Sequence, residues 1–175
     1  MATRKKAGSA RKSPASPSRS SSAQKKDAIG LLKQDHEKVR GLLSQLEKSA
    51  ERGGDRAMKL VAQIESEVKV HSTVEEEIFY PAFRDAARKK DEKKLFYEAN
   101  QEHHVVDLVM PEMSDRGSNE EFAAKAKVLK ELIEHHADEE EKSMFPKARR
   151  LFNREQLREL GERIEDRKKE LKGLM

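Results

Sequence analysis

The sequence predicts an all-α protein: an antiparallel, up-down-up-down four-helix bundle with an extra C-terminal helix and a disordered, basic N-terminal tail. Three observations support this fold class. Charged residues make up 40% of the chain and aromatic residues only 5%, a composition typical of helical proteins. Apolar residues recur at three- and four-residue spacings in five segments. The breaks between these segments are short, so consecutive helices are expected to be antiparallel neighbours.

The N-terminal tail, residues 1–26, differs from the rest of the chain in charge. It holds eight of the 37 Lys and Arg residues and none of the 33 acidic ones, which leaves residues 27–175 with a net charge of −4. The tail is rich in Ser, Ala and Pro, and a segment with so little to bury is predicted to be disordered. Two roles for it stay open: non-specific contact with nucleic acid through phosphates, or simple solubilisation. An organelle transit peptide is a less favoured third role, because the segment lacks an apolar helical face.

The absence of certain residues and segments limits the functional classes. The chain contains no cysteine, which excludes disulfides, thiolate metal sites and cysteine nucleophiles. No window of about 18 apolar residues exists, so we expect no membrane span. No apolar secretory segment appears near the N-terminus, and a cytoplasmic location is therefore expected.

The first two predicted helices each bury one stripe of residues. Asp27 is the expected N-cap of the first helix, and RGGD at 52–55 ends that helix. The second helix fades in the charged stretch 84–94. The stripes are Ile29, Leu32, His36, Val39, Leu43 and Leu46 on the first helix, and Leu60, Ile64, Val68, His71, Glu75 and Ile78 on the second.

Two more bundle helices and a final helix follow the same periodicity. Ser118 and Glu121 form a predicted capping box for the fourth helix, and Asn153 with Gln156 a similar cap for the last. The last helix either packs across the bundle or meets a partner. The expected domains are the tail 1–26, the bundle 27–152 and the C-terminal helix 153–175. The stripe of the third helix is Phe96, Ala99, His103, Val106, Met110 and Met113. The stripe of the fourth is Phe122, Ala126, Leu129, Ile133, His136 and Glu140. The stripe of the last helix is Leu157, Leu160, Ile164 and Leu171.

The first two helices resemble the next two in sequence. DHEKVRGLL at 35–43 aligns with EHHVVDLVM at 102–110, and HSTVEEEIFYP at 71–81 aligns with HADEEEKSMFP at 136–146. Both copies of the second motif place a glutamate four residues after a histidine, which puts the two side chains on one helical face. At a rise of about 1.5 Å per residue, all six polar groups fall into one layer roughly two turns deep. These groups are His36, His71, Glu75, His103, His136 and Glu140.

Buried ionisable groups of this number need compensation. Leaving one ion unpaired costs several kcal/mol, whereas a domain is stable by only about 5–15 kcal/mol in total. A single histidine on an apolar stripe is usually an ordinary core residue, but four at one level, two of them with a glutamate, indicate a metal site. Imidazole with carboxylate suits iron, manganese or zinc.

Polar residues near the predicted site have less direct roles. Glu76 and Glu141 are candidates for supporting groups or extra ligands, whereas Glu77 is expected to be exposed. His104 and His135 are expected to be peripheral. Two prolines, Pro81 and Pro146, are predicted to kink their helices one to two turns beyond the ligands.

These motifs, in this order over residues 27–150, resemble the hemerythrin-like HHE cation-binding family. The resemblance rests on His36, the two His-x-x-x-Glu pairs and His103, with the flanking sequences DHEKVR, EEEIFYP and EEEKSMFP. It implies a four-helix bundle around a non-haem centre of two iron ions, with manganese or zinc less favoured. It also implies that the six residues are the ligands, with Glu75 and Glu140 as bridges.

Two departures from the oxygen-carrying members argue against reversible oxygen carriage. Asp107 stands where those proteins have a second histidine on the third helix, and Glu141 stands where they have an aspartate. The resemblance therefore favours a protein that senses, stores or handles oxygen, peroxide, nitric oxide or iron, with a diatomic molecule or peroxide as its ligand. The alternatives are a catalase-like enzyme that breaks down peroxide, and an iron-responsive module that contacts DNA or protein through its tail.

Overall fold

A computed structural model describes residues 27–52 and 54–174, and the regular secondary structure in these ranges is entirely helical. The predicted disordered tail, residues 1–26, lies outside the described residues. Seven α-helices follow one another, and three of the connections between them are themselves short π- or 3₁₀-helices. The α-helices are α1 Ala28–Ala50, α2 Asp55–Val74, α3 Tyr80–Ala86, α4 Lys90–Val109, α5 Asn119–Glu139, α6 Phe145–Leu151 and α7 Arg154–Leu174.

The predicted four-helix bundle is confirmed. α1 packs against α2 and α5, and α4 packs against α5. α3 continues the direction of α2, and α6 continues that of α5, each after a π-helical turn. None of the helices in the described ranges is both long and apolar enough to cross a bilayer.

The last helix, α7, packs on the bundle rather than standing free. It contacts α1 and α2, and Leu157, Leu160 and Ile164 lie in the same buried cluster as Ile29 and Leu32. Of the two arrangements left open by the sequence, the structure therefore shows packing across the bundle. Burying these three side chains supplies the free energy that holds a helix of otherwise polar composition in place.

Local hydrogen bonds begin the helices where the sequence predicts. Asp27 Oδ1 accepts from the amide of Gly30 at 2.8 Å. The Ser118–Glu121 capping box is formed in both directions, at 3.2 and 2.8 Å. Asn153 and Gln156 likewise exchange two bonds of 2.9 Å at the start of α7. Each cap satisfies amide groups that have no partner inside their helix.

Two π-helical turns, Glu75–Phe79 and Glu140–Met144, interrupt the second and fourth bundle helices. The amide of Tyr80 donates to the carbonyl of Glu75, and that of Phe145 to the carbonyl of Glu140, both over five residues. The π-helical distortion thus begins at the predicted ligands themselves, and the kinks expected at Pro81 and Pro146 stay a prediction. Each proline stands two residues after the end of its π-helical turn. A wide turn inside a helix often marks a functional site.

The six-residue polar layer divides the core into two apolar clusters. One cluster includes Ile29, Phe79, Tyr80 and the buried face of α7, and the other includes Val39, Leu129 and Ile133 toward the far end of the bundle. His36, His71, Glu75, His103, His136 and Glu140 lie between these clusters and are all buried.

Candidate metal centre

Six side chains from four bundle segments meet in the buried layer. The four histidines are each 7% exposed or less, and Glu75 and Glu140 are almost completely enclosed. The structure therefore brings together all six residues that the sequence singles out. It does so because helical periodicity aims each of them at the bundle axis and antiparallel packing brings their levels together.

The ligand atoms form two adjoining groups that could each hold a metal ion. The first consists of His36, His71, Glu75 and Glu140, and the second of Glu75, His103 and His136. Within each group the atoms lie within 4.8 Å of one another. Glu75 belongs to both groups, with its Oε2 atom 3.2 Å from His71 Nε2 and 3.3 Å from His103 Nε2.

Every histidine of the layer points its outer ring nitrogen, Nδ1, at a carboxylate. The Nδ1 atoms of His36 and His103 lie 3.0 and 2.8 Å from carboxylate oxygens, and those of His71 and His136 lie at 3.3 and 2.8 Å. A carboxylate accepts, so each Nδ1 carries the proton and each Nε2 faces inward with its lone pair. The partners are Glu141 for His36, Asp35 for His71, Glu76 for His103 and Glu102 for His136.

The inner nitrogens approach each other in pairs. His36 Nε2 lies 3.1 Å from His71 Nε2, and His103 Nε2 lies 3.0 Å from His136 Nε2. Two neutral imidazoles would face lone pair to lone pair at these distances. A cation between them removes this repulsion, and either a shared proton or a metal ion can take that place.

The two glutamates are short of hydrogen bonds in the same layer. Within the described part of the chain, Glu75 Oε1 and both carboxylate oxygens of Glu140 lack a hydrogen-bond partner although they are fully buried. His36 Nε2 lies 3.2 Å from Glu140 Oε2, an ion-pair distance, but does not form a well-directed bond. Unpaired buried carboxylate oxygens beside inward imidazole lone pairs form a donor set that fits divalent cations.

The two glutamates differ in pKa because their electrostatic surroundings differ. Burial and the neighbouring Glu140 raise the pKa of Glu75 well above its usual value. Burial also opposes ionisation of Glu140, but His36 and the charge of His136 outweigh it and lower the pKa of Glu140 to about 2. In the metal-free layer, ionisation of Glu140 is therefore favoured over ionisation of Glu75.

Burial also affects the pKa values of the histidines, and to different extents. It lowers the pKa of His71 to about 4, despite the hydrogen bond to Asp35. It is outweighed at His36 and His136, where Glu140 and their own carboxylate partners raise the pKa values. Each close histidine pair thus contains one imidazole that holds a proton readily, which is consistent with a shared proton in the metal-free protein.

One aromatic residue at the layer was not anticipated. The Tyr80 hydroxyl lies 3.4 Å from Glu75 Oε2 and 3.3 Å from His103 Nε2. Its counterpart in the repeat is Phe145, which stacks on His36 with ring centroids 5.7 Å apart. The two groups therefore differ: a phenol hydroxyl reaches His103, whereas an apolar ring packs on His36. The sequence signal was that Tyr80 precedes the proline in the first copy of the motif, whereas Phe145 precedes it in the second.

A small cavity of about 30 Å³ adjoins the four histidines. About 10–15 Å³ of such volume holds one water, so a diatomic molecule fits. Val68, Val106 and Asp107 line both this cavity and an open groove of about 320 Å³ between α2 and α4. The remaining apolar wall comes from Val39, Ile133 and Ala137.

The supporting residues partly match the sequence expectations. Glu76 and Glu141 hold histidines and lie outside both ligand groups, so the structure favours the supporting role over extra ligation. Glu77 is exposed and pairs with Arg167. His104 and His135 are exposed and also outside the groups, as expected.

Two of the four histidine partners, Asp35 and Glu102, were missed by sequence reasoning. They align with each other in the repeat, and each directly precedes a histidine of the polar layer. That equivalence was the available signal.

Comparison with known proteins supports a cation-binding domain. The family model described as Hemerythrin HHE cation binding domain matches residues 27–148. This chain belongs to that family. The hemerythrin HHE match ends before α7 begins, so the last helix lies outside the region matched by the family model.

A solved structure and a curated protein resemble this hemerythrin HHE chain. The crystal structure of a hemerythrin HHE cation-binding domain-containing protein from Mycobacterium kansasii superposes with a TM-score of 0.72 at 25% identity, covering 85% of this chain and 88% of that one. A protein named DNA nickase from Nostoc sp. is 24% identical over 126 residues, 72% of this chain. The chain spans only 34% of the length of that relative.

Proposed function

We propose that this hemerythrin HHE protein binds two iron ions in the buried layer and uses them to sense, store or handle dioxygen, nitric oxide or peroxide. One observation carries the proposal: two pairs of inward imidazoles, each pair about a hydrogen-bond length apart, lie beside carboxylate oxygens that lack hydrogen bonds. His36, His71, Glu75 and Glu140 would hold one ion. Glu75, His103 and His136 would hold the other, with Glu75 shared.

The chain's own residues would do three things for such a centre. The four outer carboxylates fix each histidine in the tautomer whose Nε2 is free to bind metal. The apolar wall around Val39 and Ile133 would limit the water beside a bound ligand, and charge interactions are stronger where water is excluded. The cavity volume restricts ligands to small molecules. Bound iron would supply a Lewis-acidic, redox-active centre for them.

Metal analysis of the purified chain after anaerobic loading with ferrous iron tests the proposal. We expect about two Fe per chain and, after oxidation, near-ultraviolet absorption of a carboxylate-bridged diferric centre. A Glu75→Ala, Glu140→Ala double variant should lose both. The matched control is a Glu65→Ala, Glu131→Ala variant, which removes two exposed acids of α2 and α5 outside the ligand groups. Normal iron content in the Glu75, Glu140 variant would rule out the assignment.

The same loaded protein distinguishes binding from turnover. Oxygen release on repeated addition of hydrogen peroxide, absent from the double variant, would indicate a catalase-like enzyme. A single spectral change without oxygen release would instead indicate a binding or sensing role.

A further inference from the structure

The buried face of α7 contains a lysine where its periodicity calls for an apolar residue. Leu157, Leu160, Ile164 and Leu171 form the apolar stripe of this helix, and Lys168 continues it four residues after Ile164. The side chain of Lys168 is only 15% exposed. Burying an ammonium group is unfavourable unless the group is paired, so its partner is informative.

That partner is the carboxylate behind a proposed metal ligand. Lys168 Nζ forms an ion pair and hydrogen bond with Asp35 Oδ2. The same oxygen lies 3.3 Å from His71 Nδ1. A continuous chain of polar contacts therefore runs from the C-terminal helix, through Asp35, to the inward Nε2 of His71.

A neighbouring ion pair fixes the position of Lys168. The guanidinium of Arg167 donates to both carboxylate oxygens of Glu77, at 2.7 and 3.1 Å. Two parallel bonds of this kind restrict geometry more than a single one does. Glu77 lies in the first π-helical turn, two residues after Glu75. α7 is thus attached to the segment that carries the shared glutamate.

The sequence repeat provides an internal comparison. Glu102 is the counterpart of Asp35 and holds His136, but its other carboxylate oxygen lies 3.4 Å from Nε2 of the exposed His135. In the described ranges no Lys or Arg nitrogen lies within 4.0 Å of Glu102. The lysine support is therefore specific to the first half of the repeat, the half on which α7 packs.

We propose that Lys168 is a positioning residue that extends the metal centre beyond the hemerythrin HHE region: it holds Asp35 against His71 and so prepares the His36–His71 group for its ion. The inference rests on the proposed metal-binding function. Asp35 is 20% exposed at its side chain, and without the ammonium it can turn toward water. His71 then loses the acceptor that fixes its tautomer and ring orientation.

Three full-length variants test this role. Lys168→Met keeps the length and apolar stem of the side chain, and Lys168→Arg keeps the charge. Lys169→Met is the control, because Lys169 is exposed on the same helix and pairs with Asp166. Ferrous iron is titrated anaerobically against a chromogenic chelator. We expect one of the two iron equivalents to weaken about tenfold in Lys168→Met, the lower end for outer-layer partners, and to recover in Lys168→Arg.

A measurement without metal separates this inference from the proposed function. Nitrogen-15 shifts of the histidine rings in the metal-free protein report the tautomer of His71. We expect the Nδ1–H form in the wild type and in Lys169→Met, and a mixture in Lys168→Met, with thermal midpoints alike. An unchanged His71 tautomer, or an iron titration of Lys168→Met identical to that of Lys169→Met, would overturn the inference. A wild type that binds no iron counts against the proposed function alone.

Discussion

Glu76 and Glu141 occupy equivalent positions in the sequence repeat, and each accepts a hydrogen bond from a histidine of the opposite half. Glu76 holds His103 at 2.8 Å, and Glu141 holds His36 at 3.0 Å. The other two pairs, Asp35 with His71 and Glu102 with His136, stay within one half. The two halves are therefore tied together through the carboxylates behind the candidate ligands, and each half supports ligands of the other.

Removing one of these cross-half carboxylates should weaken metal binding without unfolding the bundle. In Glu76→Ala, Nδ1 of His103 loses its acceptor and the ring is no longer fixed. We expect iron affinity to fall roughly 10–100-fold, the usual effect of losing such a partner. Chelator competition measures it. Glu65→Ala, at an exposed position of α2 outside both ligand groups, should bind iron like the wild type. Equal losses in the two variants would contradict the role of Glu76.

The metal-free protein should lose stability in acid because of His71. Its pKa is lowered from 6.5 to about 4 in the folded state, so the unfolded chain takes up a proton first as the pH falls. The loss begins near pH 6.5 and is complete near pH 4. A shift of this size corresponds to roughly 3 kcal/mol. Urea unfolding of chelator-treated protein at each pH measures it.

The reference for this acid effect is His71→Gln, which cannot titrate at that position. The stability difference between wild type and variant should decrease from pH 7 to pH 4 by the stated amount. The raised pKa values of His36 and His136 act in the opposite sense and mainly above pH 6.5, so they do not mask it. A difference that is constant over this range would show that His71 has an ordinary pKa.

Small ligands should reach the centre between α2 and α4. Val68 lines both the cavity and the outer groove and is half-buried, so a larger side chain there narrows the entrance. We expect Val68→Phe to slow nitric oxide binding to the iron-loaded protein on the order of tenfold, about 1.4 kcal/mol of barrier. Stopped-flow absorbance measures the rate. Val105→Phe, at an exposed position of α4, should leave it unchanged, and equal rates for all three proteins would place the entrance elsewhere.

The basic N-terminal tail should bind DNA through charge alone. It carries eight Lys and Arg residues and no acidic residue. If all eight charges contact duplex phosphates, a plot of log binding constant against log salt concentration has a slope of about −7; fewer contacts give a shallower slope. A full-length variant with all eight changed to Gln should lose this dependence. Fluorescence anisotropy with two unrelated duplexes checks it, and equal affinity of variant and wild type would leave the tail a solubilising segment.

Much of the architecture followed from periodicity. The apolar stripes predict the bundle helices, and the aligned motifs predict that His36, His71, Glu75, His103, His136 and Glu140 lie in one layer. Residue type and spacing suffice for this because a helix has a fixed rise and turn, so a buried face can be read from the sequence.

What the sequence alone determined was therefore which residues face the bundle axis and at which level. Only the tertiary structure decided their partners. The π-helical turn after Val74 adds a residue to one turn and brings Tyr80 to the layer, which regular periodicity does not predict. Likewise, Asp35 and Glu102 reach histidines on neighbouring helices, and Lys168 reaches Asp35 from α7. Such contacts depend on how the helices pack, a property of the whole fold rather than of any one segment's spacing.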